Sequence, residues 1–370
     1  MPNILTKRVS MIELFYDLVF AYMISQATSL IHQLQHGTIS PVSFLIFAVI
    51  VIVFINSWMV QSVFTNRYGS SSWTDITFYF IDMMILLYMS NSFSNTSSKD
   101  LTTFFLAASL LSFTLFLQYL IVFFKSSNSN DKNIAKAFCS ILIFRTLALL
   151  VGGLSNTSLG RLVAFLGIII SWILPSFTGK YTKKHPIIFS HLLERLTLLI
   201  IITFGETIIG IADYFKPSEF SINSILVFIT VASLFFAYIT EFDHLIEEKM
   251  TGQTGNLLIY LHYFILFGLS LITVSLKFIS EKEANSVFAI SCLYGGMFLF
   301  YIGATIAIHY NKPQYHTISK LNLTSWILSL LLGYAISLST PSLFVIVLCS
   351  AIIGIFNAGM KVRLLYQYAE

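Results

Sequence analysis

Long uninterrupted apolar runs dominate the chain, and short polar breaks separate them at nearly regular intervals. Breaking at charged residues, Pro, Asn and Gly-rich points gives twelve segments. They lie at approximately 11–34, 41–64, 73–93, 101–124, 134–154, 160–178, 190–212, 220–242, 256–279, 285–308, 321–338 and 342–360. Each is close to the roughly 20 residues an α-helix needs to cross about 30 Å of hydrocarbon. In lipid every backbone N–H and C=O must find a partner within the protein, which leaves helices and closed barrels. A barrel strand would alternate apolar and polar positions, whereas these runs are continuous, so strands fit poorly. The expected fold is all-α, a polytopic transmembrane helical bundle of about 12 spans.

Composition strengthens this reading. Of 370 residues, 56% are hydrophobic and only 10% charged, with 35 Phe and a mean hydropathy of +0.81. Soluble domains carry about a quarter charged residues, so this chain cannot cover a water-facing surface. No polar stretch is long enough to form a separate soluble domain. The first run contains Glu13 and Asp17 and is followed by no small-residue cleavage site, so it reads as a retained span rather than a signal peptide. Cys139, Cys292 and Cys349 sit in apolar runs without paired spacing and read as small buried hydrophobes.

Charge placement predicts orientation. With the N-terminus inside, cytoplasmic segments hold 14 of the 21 Lys and Arg, and the outer side holds Lys99, Arg161, Lys216, Lys277 and Lys282. Arg145 and Arg195 fall within spans. The split predicts both termini in the cytosol and an even helix count. An offset near 180 residues relates Glu13 to Glu194, Trp58 to Tyr238, and Asp82 to His262, which suggests a 6+6 parallel repeat. The halves would be 1–183 and 184–370, joined by the Lys180–Pro186 stretch; the alternative is chance similarity among apolar segments.

Ionisable groups inside spans carry the candidate chemistry, because each costs on the order of 2.5–3.5 kcal/mol at a helix centre and needs a partner, water or a task. On the predicted topology Glu13, Asp17, His191, Glu194, Arg195, Glu241, Asp243 and His262 weight the cytoplasmic half, Asp82 and Arg145 lie near mid-depth, and Glu206 lies beyond it. Glu13 and Asp17 are four apart and share a helix face. At 100° per residue His191, Arg195 and Glu206 fall within about 60° of one another, with Glu194 about 60° to the other side, so all four can face the interior. Gly205 would allow close approach of a helix or ligand. The rival reading makes Glu13 and Asp17 helix locks paired to Arg195 or Arg145, and His191, Glu194 and Glu241 interface residues that snorkel.

Other chemistries find less support. His191-x-x-Glu194 reverses the Glu-x-x-His order of di-metal bundles, and no His pair stands at i, i+4, so neither a metal nor another cofactor is expected. The Gly-Gly pairs at 152–153 and 295–296 lie in apolar context and cradle no phosphate. Basic residues are scattered over loops, which disfavours nucleic-acid binding.

Several segments resemble the bacterial low-temperature-requirement A (LtrA) family. Glu13-Leu14-Phe15-Tyr16-Asp17-Leu18-Val19-Phe20 resembles its E-L-F-F-D-L-V-F opening. His191-Leu192-Leu193-Glu194-Arg195 followed by Gly205-Glu206 is similar to its H-x-x-E-R…G-E segment. Tyr238 through Glu241-Phe242-Asp243 resembles its W-x-x-Y-F-D element, with Glu241 at an aromatic position, and Tyr260-Leu261-His262 resembles its Y-L-H motif. The resemblance runs from residue 8 to about residue 310. It implies a multi-spanning bacterial membrane protein linked by name to growth in the cold. Arg8 with Phe15-Tyr16-Asp17 is also similar to the R…F-x-D opening of lysosomal-type potassium channels, at a longer spacing.

The expectation from these readings is a secondary transporter or permease in the bacterial plasma membrane, with a cytosol-facing polar cavity, and the enzyme question stays open. Glu13, Asp17, His191, Glu194, Arg195 and His262 would line the substrate site. Asp82 and Glu206 would couple protons or cations. Arg145, Tyr238, Glu241, Asp243 and Tyr260 would be structural or secondary. Its partners would be membrane lipids and a small molecule or ion that the residues do not identify. The rivals are an intramembrane enzyme acting on lipids or isoprenoids, a channel, and an assembly factor whose charges pair helices.

Overall fold

The computed structural model of the chain describes residues 7–93, 98–155, 157–315 and 320–367, without the side chains of residues 93, 98–100 and 320–323. Lys99 and Lys320 of the charge count therefore lie outside the described side chains. Among the described residues are twelve helices of 16 to 28 residues. In chain order they are α1 (Met11–Ser29), α2 (Pro41–Tyr68), α3 (Trp73–Ser90), α4 (Ser98–Lys125), α5 (Ser129–Leu154) and α6 (Ser158–Ile173). Then come α7 (Phe189–Gly210), α8 (Ile222–Ile239), α9 (Asn256–Phe278), α10 (Ser286–Ile306), α11 (Lys320–Ser339) and α12 (Leu343–Gln367). One helix lies on each apolar segment read from the sequence.

Polar residues at the breaks start the helices. Ser72 accepts from the Asp75 N–H at 3.2 Å while the Asp75 carboxylate accepts from the Ser72 N–H at 3.1 Å, a reciprocal cap that opens α3. Thr157 accepts from the Gly160 N–H at 3.1 Å, and Asn285 from the Phe288 N–H at 3.1 Å. The first helix stops at Ser29 rather than near residue 34. A small hairpin follows, β1 (Leu34–Gln35) paired antiparallel with β2 (Thr38–Ile39). Its two-residue turn puts His36 at φ 53° and Gly37 at φ 80°, the left-handed pair that a tight hairpin requires. An all-helical reading missed it because an apolar run this short carries no period of its own.

The chain forms two compact units. The first comprises Met1–Leu30, Leu45–Leu199 and Lys249–Ile259; the second comprises Ile31–Phe44, Ile200–Glu248 and Tyr260–Glu370. In the first, α3 packs on α1 and α4, and α5 packs on α4 and α6. Small residues let α5 and α6 approach closely: a Cβ added at Gly152 would sit 2.4 Å from the Ala164 Cβ, and one at Gly167 would sit 2.3 Å from the Ala148 Cβ. Such contacts hold helices together where lipid removes the hydrophobic drive between them. An aromatic core of Phe64, Tyr119 and Phe138 lies across α2, α4 and α5, with Tyr119 stacked on Phe138 at 4.8 Å. In the second unit α12 packs on α8 and α11, and α10 on α11. Helix α8 ends in a turn of π-helix over Thr240–Leu245.

Among the described residues, eight stretches are long and apolar enough to cross a membrane: Pro41–Tyr68, Leu101–Lys125, Ser129–Leu154, Ser158–Thr182, Ile222–Leu245, Asn256–Phe278, Ser286–Tyr310 and Leu343–Gln367. Helices α1 and α7, which carry the buried Glu13, Asp17 and Arg195, are not among them, and Thr324–Ser339 is a shorter apolar helix. The fold is that of a polytopic helical membrane protein.

Candidate functional site

In the first unit α1 and α7 bring four of the expected residues together. Glu13 and Asp17 project from one face of α1, one turn apart; His191 and Arg195 do the same on α7. Arg195 bridges the acids, its Nη1 2.8 Å from Glu13 Oε1 and its Nη2 2.7 Å from Asp17 Oδ1. All four side chains are at most 2% exposed. A pair so desolvated is held only by good geometry and further hydrogen bonds. Glu13 Oε2 accepts from Ser10 N at 2.8 Å and Ser10 Oγ at 2.7 Å. Trp58 of α2 donates from Nε1 to Asp17 Oδ1 at 2.7 Å, and the Arg195 guanidinium lies 5.1 Å from the Trp58 ring centre. Asp17 Oδ2 is buried and has no hydrogen-bond partner among the described residues.

The state of His191 follows from its neighbours. Asn66 Oδ1 accepts from the Ile188 N–H at 2.9 Å and Asn66 Nδ2 donates to the Ile188 carbonyl at 2.9 Å, which fixes which way the amide points. Its Nδ2 then faces His191 Nδ1 at 3.1 Å, so that ring nitrogen accepts and the proton sits on Nε2. The imidazole is therefore neutral. Its Nε2 is 3.2 Å from Glu13 Oε1. The cluster thus sets two carboxyls against one guanidinium.

Lys7 stands beside the cluster without entering it. Its ammonium donates to the carbonyl oxygens of Thr65 and, at 2.7 Å, Gly69, at the C-terminal end of α2 where the helix dipole favours a cation. Burial lowers its pKa from the ordinary value, and the nearby Glu13 charge acts against that shift.

Asp82 on α3 is completely buried. Its Oδ1 lies 2.5 Å from Thr114 Oγ1, and its Oδ2 has no partner among the described residues. The Thr114 hydroxyl is also 2.8 Å from the Leu111 carbonyl, and it has a single hydrogen for both acceptors. Arg145 does not pair with Glu13 or Asp17. Its guanidinium donates to Asn56 Oδ1, to Ser57 Oγ at 2.8 Å and to the Val53 carbonyl at 3.5 Å, all on α2.

Other expected site residues fall elsewhere. Glu194 is exposed, on a stripe of α7 with Ile201, Gly205 and Ile208, and does not face the interior. Only five of the 22 residues of α7 are exposed, so an angle of 60° could not decide on which side of the narrow exposed stripe Glu194 falls. Gly205 accommodates no close approach, since an added Cβ would meet nothing within 4 Å. His262, Tyr238, Glu206, Glu241, Asp243 and Tyr260 belong to the second unit. His262 Nε2 is 3.1 Å from the Tyr238 hydroxyl, and Tyr238 stacks on Phe242 at 4.2 Å. Glu206 is half-buried, Asp243 is exposed 3.6 Å from His244, and Tyr260 stacks on Tyr263. Glu241 is buried and bonded to Lys361.

Sequence alone marks Trp58 only as the repeat partner of Tyr238 and gives no site role to Asn66, Ser10 or Thr114. Ser10-x-x-Glu13 at the start of an apolar run is a legible capping signal. A tryptophan or asparagine inside a span is not, because only its tertiary partner separates it from ordinary core.

Twelve helices, eight of them fit to span, and a desolvated charge network define a multi-pass helical membrane protein. The family model described as bacterial low temperature requirement A protein (LtrA) matches residues 8–358. The chain belongs to the LtrA family, as the motifs in α1 and α7 implied. No curated protein and no solved structure matches it.

Proposed function

We propose that this LtrA-family protein is a proton- or cation-coupled secondary transporter of the bacterial plasma membrane. On this reading all twelve helices span, both termini lie in the cytosol, and residues 1–183 and 184–370 form two six-helix halves. One observation carries the proposal: two buried carboxyls share one guanidinium beside a neutral imidazole, so with both acids ionised the cluster holds one unbalanced negative charge. A proton or cation that enters removes the imbalance, and Arg195 then releases one acid. The open lone pairs of Asp17 Oδ2 are the place for it.

Asp82 supports the same reading. If the Thr114 hydrogen serves the Leu111 carbonyl, the 2.5 Å contact needs a proton on Asp82, so a carboxyl proton would be held at mid-span. Asp82 is the coupling residue of the proposal, with Glu206 as its counterpart in the second unit. The carried solute would reach Glu13, Asp17, His191 and Arg195, with Glu194 as an outer member of its path, once the closed network opens toward the cytosol; closed burial of the four is the occluded state.

Burial equally favours a second reading, in which the Arg195 network only locks α1 to α7 in an assembly factor. Solute uptake into proteoliposomes, scaled to the amount of folded protein, separates the two. Transport predicts that Asp82→Asn with Glu206→Gln folds normally and loses coupled uptake. Uptake that merely tracks protein amount supports the lock.

A further inference from the structure

A cavity of about 60 Å³, mostly apolar in surface but lined by several polar side chains, lies within the second unit. At about 10–15 Å³ per water it has room for on the order of five waters, or for a ligand with a similar number of heavy atoms. Glu241 and Lys361 are the charged residues among those lining it, and they are bonded to each other. Glu241 is 1% exposed. Its Oε1 has no hydrogen-bond partner among the described residues, and neither do Trp326 Nε1 and Asn311 Oδ1, two further lining groups. The Tyr301 hydroxyl lies beside Asn357 but out of hydrogen-bond alignment with it. Buried polar atoms rarely stay unpartnered without a reason.

The backbone around Glu241 is built to hold it there. Glu241 lies in the π-helical turn, a feature that recurs at functional sites. The end of that turn is tied to the lining segment near Asn311 by Glu247 N to Tyr310 O at 2.9 Å and Lys312 N to Leu245 O at 2.9 Å.

We infer that this cavity is a binding site for a small zwitterion carrying an ammonium and a carboxylate, of the size of glycine or alanine. The argument is one of charge balance. Glu241 and Lys361 sum to zero, so a lone amine or a lone carboxylate entering the pair would leave a net charge in a buried space. A dipolar neutral molecule leaves none: its ammonium meets the open Glu241 Oε1 and Asn311 Oδ1, and its carboxylate takes Lys361 and the Trp326 N–H. Ile308, Met360 and Leu364 supply an apolar wall for a methyl-sized side chain. The assignment concerns binding and does not depend on the transport reading.

Calorimetric titration of the full chain in lipid nanodiscs tests it, with glycine and L-alanine as probes and acetate and ethylammonium as single-charge controls. Saturable binding of a zwitterion at least tenfold tighter than either control is expected. Glu241→Gln and Lys361→Met should each weaken it at least tenfold, and Trp326→Phe, which keeps the ring and removes one donor, several-fold. Should the single-charge variants fail to fold, Trp326→Phe and the paired swap Glu241→Lys with Lys361→Glu keep the charge sum, and the swap should retain binding. No binding of either zwitterion, equal binding of ethylammonium, or unchanged affinity in Trp326→Phe would overturn the inference.

Discussion

Arg195 is the residue on which the buried network turns. It bridges two acids on another helix, and removing it leaves both without a cationic partner in a desolvated space. Breaking a buried pair in this way costs about 3–5 kcal/mol. Arg195→Met should therefore lower thermal stability in detergent sharply, and adding Glu13→Gln with Asp17→Asn should restore much of the loss. If the triple variant is no more stable than Arg195→Met, the acids and Arg195 are not one network. Trp58→Phe removes a donor to Asp17 and should cost about 1–3 kcal/mol by the same measurement, more than a surface aromatic would. Glu194→Gln should be nearly silent, since the side chain is exposed.

What could be read at this scale depended on separation along the chain. Glu13 and Asp17 declare themselves because a four-residue step is a helical neighbour relation, and Arg195 as their partner was one of two open choices. Lys361 beside Glu241, 120 residues away, could not be found this way, because no local rule links them.

At the scale of elements, apolar run length decided the helices, and all twelve segments carry one. Periodicity said little about which face is buried, because helices such as α10 are apolar nearly all round. Small residues show where backbones meet. Gly152→Val should clash with Ala164 and destabilise the α5–α6 contact by about 1–3 kcal/mol. Gly205→Ala, with open space around it, should leave stability unchanged or raise it by up to about 1 kcal/mol. Unfolding midpoints of the two variants check the contrast; equal effects would mean that the helix contacts are misassigned.

For the whole molecule, composition alone pointed to membrane residence, and the fold and family agree with it. The sequence reading had a single watered cluster joining Glu13, Asp17, His191, Glu194, Arg195 and His262. The structure instead joins four of these in a closed ion network, exposes Glu194, and places His262 against Tyr238 in the second unit. A count of charges by depth cannot distinguish a wet cavity from a dry network, since both keep charge away from lipid.

The most direct measurement of the transport account is proton movement in proteoliposomes loaded with a pH-sensitive dye and supplied in turn with pools of small solutes. The account expects an internal pH change that depends on one pool and disappears with Asp82→Asn and Glu206→Gln together. Solute uptake without proton or cation movement, or an undiminished signal in that double variant, would contradict it.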